Sequence, residues 1–433
     1  MDLTRQPPRR PSNATMAGLV GLARMTDKAR GHNAELLGEF VYGEDSGLDV
    51  EVLAFVQMTA DEFAEAADEL DDASLAALAI ERSGRTAAEL EEFNREHLER
   101  EPQDERHREL LAERVARFAP GRTDIRTVFA SIELDDWGAF RDVDLASRPP
   151  RTPYLRSVAG MFAAARMADK ARASHCGALG EYRYGPDSGF DRAVLEELQV
   201  TAADFSEAAY QNPNDTELAE WLRANGRVDA GRICTFNAAI AAYGEATPGA
   251  GDRFRDRREA ICPGRADVTT YFDLVDMDDQ LSFGIVDLNR RPPRSPYDAS
   301  VGGAASLGRM LDKGRAHLSG TLGTYWFGDD SGIDRQLLGF LGLSQAEMEA
   351  GLAENATDEA VVAWLGPRLE RPEAEIDQVN EKLRNLGPAM AAQRQYLRDT
   401  VAAYDRSRTE VTTYFAMMVL EDEIHFARHR ARV

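Results

Sequence analysis

The residues best placed to do chemistry stand in three short phrases: R-M-T-D-K-A-R (Arg24 to Arg30), R-M-A-D-K-A-R (Arg166 to Arg172) and R-M-L-D-K-G-R (Arg309 to Arg315). On a helix, Arg24, Asp27 and Lys28 lie at i, i+3 and i+4 and share a face. Arg30 lies three residues beyond Asp27, so this carboxylate can pair with both arginines. Lys28 then stands one turn from a like charge with its nearest carboxylate engaged. A like charge and burial both lower a lysine pKa, which is how an ammonium becomes a base or a nucleophilic amine. The same reading holds for Arg166, Asp169, Lys170 and Arg172, and for Arg309, Asp312, Lys313 and Arg315. The chemistry such a face suits is the handling of a small anion. Guanidinium forks would clamp a carboxylate or phosphate, the aspartates would orient the forks, and the lysine would supply charge, a base or an amine.

Lysine is the informative residue. The chain has 51 basic residues, and only Lys28, Lys170, Lys313 and Lys382 are lysine. Scattering four lysines at random over the basic positions fills those three with odds of roughly one in five thousand, a figure that the common origin of the three phrases weakens. An ammonium is compact, can lose its proton and can attack a carbonyl, whereas a guanidinium is planar and always charged. Two readings follow. Either the ammonium acts on a ligand, or only a slim cation fits a tight internal salt-bridge network; retention in every copy is compatible with both.

The phrases belong to a larger repeat. D-L-T-R-Q-P-P-R-R-P at Asp2 returns as D-L-A-S-R-P-P-R-T-P at Asp144 and D-L-N-R-R-P-P-R-S-P at Asp287. Y-G-E-D-S-G-L-D (Tyr42 to Asp49) returns as Y-G-P-D-S-G-F-D (Tyr184 to Asp191) and F-G-D-D-S-G-I-D (Phe327 to Asp334). The signatures recur at offsets of 142 and 143 residues, a period of whole domains rather than of a short-repeat solenoid. The expected domains are residues 1–141, 142–284 and 285–433. Each reads as mostly α, with at most a short strand or hairpin, and the three are expected to pack pseudo-symmetrically. Leu19, Leu22 and Met25 make a helical stripe over Met16 to Arg30. Ala17 and Gly21, with Ala159, Ala163, Gly302 and Ser306, put small residues at the N-terminal end of that face. Gly38 to Tyr42 suits a brief strand or extended turn. Trp221 and Trp364 are expected in helix cores, and Ala87 to Arg117 reads as a solvated helical stretch.

This layout resembles a bacterial family of domains of unknown function, the one numbered five thousand and sixty-nine. Its members usually carry one copy opening with D-L-x-x-x-P-P-R-S-P, followed by a helix bearing I-D-K-x-R and then G-x-Y. All three copies match the opening and the D-K-x-R helix, while the D-S-G-x-D loop departs from the P-L-D form of many members. The resemblance implies the domain boundaries and carries over no catalytic residue.

The G-x-D-S-G-x-D loop has a structural explanation. Asp45, Asp187 and Asp330 suit Asx-turns; Gly47, Gly189 and Gly332 suit a positive φ; Asp49, Asp191 and Asp334 suit helix N-caps. Only the serine is left without a role. The loop is too short for a calcium site and has no nucleophile-elbow context. His32 and His317 correspond to Ser174, and no histidine has zinc-ligand spacing. The acid pairs Asp135-Asp136, Asp278-Asp279 and Glu421-Asp422 read as surface acids or helix-end charges. No metal and no cofactor is expected.

A formal charge of −24 argues against nucleic acid or an anionic membrane as partner, since both reward a basic surface. No apolar run is long enough to cross a bilayer. Three cysteines without spacing and an opening Met1 to Arg5 without a hydrophobic stretch make a cytoplasmic location the expectation. The leading reading is thus a triplicated helical protein that binds or transforms a small anionic metabolite at the Arg/Asp/Lys face. Its rival is a non-catalytic scaffold or interaction protein in which the cluster is a structural salt-bridge network. Whether the chain is an enzyme and how it oligomerises are not written in these residues.

Overall fold

The computed structural model describes residues 1–263, 265, 268–289, 291–355 and 357–432, with side chains as far as residue 426. Twenty-one α-helices lie among the described residues, and they fall into three series of one order. The first is α1 (Leu22–Asn33), α2 (Gly47–Val56), α3 (Ala60–Glu69), α4 (Asp72–Ser83), α5 (Ala87–Glu99), α6 (Glu105–Phe118) and α7 (Val128–Phe140). The second is α8 (Ala164–His175), α9 (Gly189–Leu198), α10 (Ala202–Gln211), α11 (Asp215–Asn225), α12 (Ala230–Ala241), α13 (Gly251–Ile261) and α14 (Tyr271–Phe283). The third is α15 (Leu307–Leu318), α16 (Gly332–Leu341), α17 (Gln345–Glu354), α18 (Asp358–Leu369), α19 (Glu373–Arg384), α20 (Ala391–Tyr404) and α21 (Tyr414–Arg432). A single 3-10 turn precedes α2, α9 and α16. The only β pairing among the described residues is an isolated bridge between Gly244 and Thr270. Gly38 to Tyr42 forms no strand: Gly38, at φ of 64°, and Glu39 lie in a turn, and Phe40 to Tyr42 run on without pairing.

The chain divides into two compact units, Met1–Ile240 and Ala241–Val433. The first holds the whole first series and the second as far as α12. The other holds the end of the second series and all of the third.

Local chemistry fixes the helix starts. Thr59 and Glu62 close a capping box on α3, as Thr86 and Glu89 do on α5 and Ser344 and Glu347 on α17. Each box satisfies amide hydrogens that the first turn leaves free. Asp71, Asn214 and Thr357 cap α4, α11 and α18. The D-K-x-R helix starts later than its apolar stripe suggests. Gly21, Ala163 and Ser306 sit in the left-handed region with φ of 79°, 63° and 65°, and the helix begins at the next residue. The small residues ahead of it therefore build a turn rather than a helix face. The carboxamides of Asn94, Asn237 and Asn380 clamp that turn. Each accepts a backbone N–H (from Val20, Phe162 and Ala305) and donates to a glycine carbonyl (Gly18, Gly160 and Gly303).

The core repeats with the helices. Met25, Met167 and Met310, then Phe63, Phe205 and Met348, then Leu75, Leu218 and Val361 are equivalent positions, all fully buried. The helix bearing D-K-x-R is enclosed, with every residue from Leu22 to Ala29 buried in α1. α6 has no buried residue, as its charge content requires. Trp221 and Trp364 are only half-buried: their amphipathic rings lie at the edge rather than in the core.

Candidate functional site

Two clusters form around the D-K-x-R helix, and both take partners from outside it. The first is built on the arginine of the P-P-R segment. Arg9 binds Asp27 with its backbone N–H at 2.8 Å and its guanidinium at 2.8 to 3.1 Å, and reaches Asp72 at 2.6 Å. Arg151 does the same with Asp169 and Asp215, and Arg294 with Asp312 and Asp358. The prolines hold this segment extended, so its N–H and fork meet one carboxylate together. Asp72 and Asp358 also receive Arg30 and Arg315 at 2.6 Å. Arg172 instead donates to the carbonyls of Ala209, Asn212 and Pro213 around the end of α10.

Each aspartate is engaged by an arginine eighteen residues earlier in the chain, so Asp27 does not orient Arg24 and Arg30 along its own helix. In the second copy Asp169 also keeps the expected i,i+3 pair, with Arg172 Nη1 at 3.6 Å. Arg24 pairs with Asp136 on α7, and Arg309 with Asp422 on α21 at 2.7 Å. Arg166 donates to the carbonyl of Arg151 at 3.2 Å. Asp136 and Asp422, expected as surface acids or helix-end charges, are largely buried ion-pair partners. Burial pushes the Asp136 carboxyl up from the ordinary aspartate range against the pull of Arg24. The rings of Phe40, Tyr182 and Tyr325 lie 5.5 to 5.7 Å from these guanidinium carbons, and the Tyr325 hydroxyl donates to Asp422 at 2.7 Å.

The second cluster surrounds the lysine. Lys28 Nζ lies 3.0 Å from the Val41 carbonyl, 2.9 Å from Ser46 Oγ and 2.7 Å from Asp49 Oδ1. Lys170 meets the Arg183 carbonyl, Ser188 and Asp191 at 3.0, 3.1 and 2.6 Å. Lys313 meets the Trp326 carbonyl, Ser331 and Asp334 at 2.9, 3.3 and 2.8 Å. An ammonium has three donors, and three converging acceptors meet them in the second and third copies. In the first, two acceptors do so while Asp49 Oδ1 stands beside the ammonium as an ion pair without a hydrogen bond. A planar fork cannot point three hydrogens at one small tetrahedral socket. Lysine at these positions thus has a geometric cause. Lys28 is 4% exposed and Asp49 fully buried. Loss of water pushes the Lys28 ammonium down to about 8, with Asp49 opposing and Arg24 assisting the fall. Burial lowers Lys313 and raises Asp191 and Asp334, in each case against the attraction of the partner.

The loop works differently from its turn chemistry. Ser46, Ser188 and Ser331 are the N-caps, accepting from the N–H of Asp49, Asp191 and Asp334. The aspartates sit three residues inside the cap position, where they accept the N–H of Gly43, Gly185 and Gly328 and hold the lysine. The serine left without a role is thus both cap and lysine acceptor. The glycine that needs a positive φ is the first of the motif. Gly185 has φ of 67°, and a Cβ there would stand 3.0 Å from the Ala202 Cβ, whereas one on Gly189 would meet nothing within 4 Å. Gly185→Ala should cost about 1–2 kcal/mol, the penalty of a left-handed L-residue, while Gly189→Ala should leave the chemical melt unchanged. Equal effects from the two substitutions would contradict this assignment.

The residues missed in the sequence are Arg9, Arg151 and Arg294, their second acids Asp72, Asp215 and Asp358, and the three asparagine clamps. The arginines were visible in the repeated P-P-R. The others lie in the stretches that diverge most between copies.

Buried cation–carboxylate struts of one design, repeated along one chain, define a tandem protein of small all-helical domains. The chain belongs to the family of the domain of unknown function DUF5069, whose model matches residues 5–137, 147–281 and 290–424. No curated protein is significantly similar to it. Among the described residues, no helix is long and apolar enough to cross a membrane, and no group of His, Cys, Asp and Glu is placed to hold a metal ion.

Proposed function

We propose that the chain is a non-catalytic scaffold or interaction protein and that the Arg/Asp/Lys network is the internal strut of each copy. The observation that carries this reading is that protein acceptors take all three ammonium donors of Lys170 and Lys313, and that Lys28 is held at the equivalent place by two hydrogen bonds and the Asp49 ion pair. An anion clamp at the same face needs free donors, yet the forks of Arg24 and Arg309 already hold Asp136 and Asp422. One observation favours the rival reading, that a small carboxylate or phosphate metabolite is bound or transformed here. Burial pushes the Lys28 ammonium down to about 8, toward the range in which a proton-transfer group works.

Lysine-to-arginine substitution separates the two. Under the strut reading, Lys28→Arg, Lys170→Arg and Lys313→Arg force a bulkier cation into a closed socket. Each should lose about 1–3 kcal/mol of stability, the usual cost of overpacking. A panel of carboxylate and phosphate metabolites should leave the wild-type melting temperature unmoved. Arginine variants that melt like wild type, together with an anion that raises the wild-type melting temperature, would return the metabolite reading.

A further inference from the structure

Within the unit Met1–Ile240, α4 of the first copy and α11 of the second line a common cavity of about 720 Å³. This volume falls in the usual range of small-molecule sites. The two walls use equivalent helix positions with opposite chemistry. α4 presents Ala73, Ala77 and Ile80; α11 presents Thr216, Glu220 and Arg223 at the matching places. Met16, 2% exposed, extends the apolar wall. The buried Arg9 closes one end. Its carboxylate partners take most of its hydrogens, and Nη2 also faces the Met16 sulfur at 3.6 Å, a weak acceptor.

Glu220 and Arg223 stand at i and i+3, a spacing at which opposite charges can meet. Among the described residues, neither side chain makes a hydrogen bond or an ion pair with protein; Glu220 is half-buried and Arg223 exposed at the rim. An open cavity thus has one free anion and one free cation on a single wall and an alanine surface opposite. A simple carboxylate entering it meets Arg223 together with the repulsion of Glu220 and Asp72, in a chain of net charge −24. A simple amine leaves Arg223 unanswered. We propose that this cavity binds a small zwitterion with an apolar body, the chemical class of α-amino acids and short apolar peptides. The carboxylate is held by Arg223, the ammonium by Glu220, and the apolar side chain lies on Ala73, Ala77 and Ile80. The proposal is independent of the strut reading, since it uses neither the lysines nor the arginines of the D-K-x-R helix.

The test is calorimetric titration of the full chain with leucine and with leucyl-leucine, beside isovalerate and isoamylamine, which carry one charge each. At least one zwitterion should bind, and both single-charge probes should bind about ten- to hundredfold more weakly, the factor expected for one lost charge-assisted hydrogen bond. Arg223→Ala and Glu220→Ala each remove a side chain that has no protein partner and should weaken the zwitterion by the same factor without lowering the melting temperature. Ala77→Trp should fill the cavity and abolish binding. Absence of heat with both zwitterions overturns the proposal. So does isovalerate binding as tightly as they do, which would make this an anion site, or undiminished binding in Arg223→Ala and Ala77→Trp.

Discussion

Lys170→Met should lose about 3–5 kcal/mol of stability, the cost of stripping one partner from a buried ion pair. The substitution keeps an apolar stem of similar length, so packing changes little. What changes is Asp191: it loses the ammonium at 2.6 Å and keeps the N–H of Gly185 and the hydroxyl of Ser188. Burial already pushes this carboxyl upward with the lysine present. The second half of the experiment is Lys170→Met with Asp191→Asn, which removes the orphaned charge while keeping an acceptor for Gly185. More than half of the loss should return, because the penalty lies in the unpaired carboxylate and not in the absent cation. Urea melts of the two single variants and the double variant measure the cycle. Additive losses, with the double variant worse than either single one, would mean that the pair is not coupled and that the lysine is retained for another reason.

The largest effect is expected at Arg151, a residue outside the D-K-x-R phrase. It is buried, binds Asp169 through both N–H and fork, and binds Asp215 at 2.5 Å. Arg151→Met leaves Asp169 with the backbone N–H and the longer ion pairs to Arg172 at 3.6 Å and Arg5 at 3.9 Å, and Asp215 with the Ser157 hydroxyl, in place of a shared buried fork. The cost should exceed the roughly 3–5 kcal/mol of a single broken pair, enough to exhaust the stability of an ordinary domain. The variant is expected to be recovered insoluble or with no cooperative melt. Arg151→Lys should rescue little, since a point charge cannot serve one carboxylate bidentately while bridging to a second. Arg85→Ala is the matched control: its pair with Glu89 is an exposed i,i+4 contact and should cost at most about 1 kcal/mol. A soluble, cooperatively melting Arg151→Met protein would show that the clamp is not what joins the P-P-R segment to the helix.

What the sequence determined by itself was the local part of this protein. The three copies, their helical character and the D-K-x-R helix are written in phrases that recur at a fixed offset and in short-range periodicity, so a single chain suffices to see them. The contrast of lysine against a background of arginine also singled out the position on which the carbonyl, the serine and the aspartate converge. What only the tertiary structure decided was which charge meets which. Asp27 lies on a helix face with Arg24 and Arg30, and neighbour spacing assigns it to them. Its observed partner, Arg9, arrives from an extended segment eighteen residues earlier, and Arg24 turns to Asp136, 112 residues away. Helical spacing describes the surface of one element and holds no information about the element packed against it. The role of Ser46, Ser188 and Ser331 was hidden for the same reason. A cap is local, but its second duty is set by a lysine that packing brings onto it. The socket that makes lysine necessary exists only where an extended carbonyl, a serine and an aspartate converge on one nitrogen, and that convergence is a property of the folded chain.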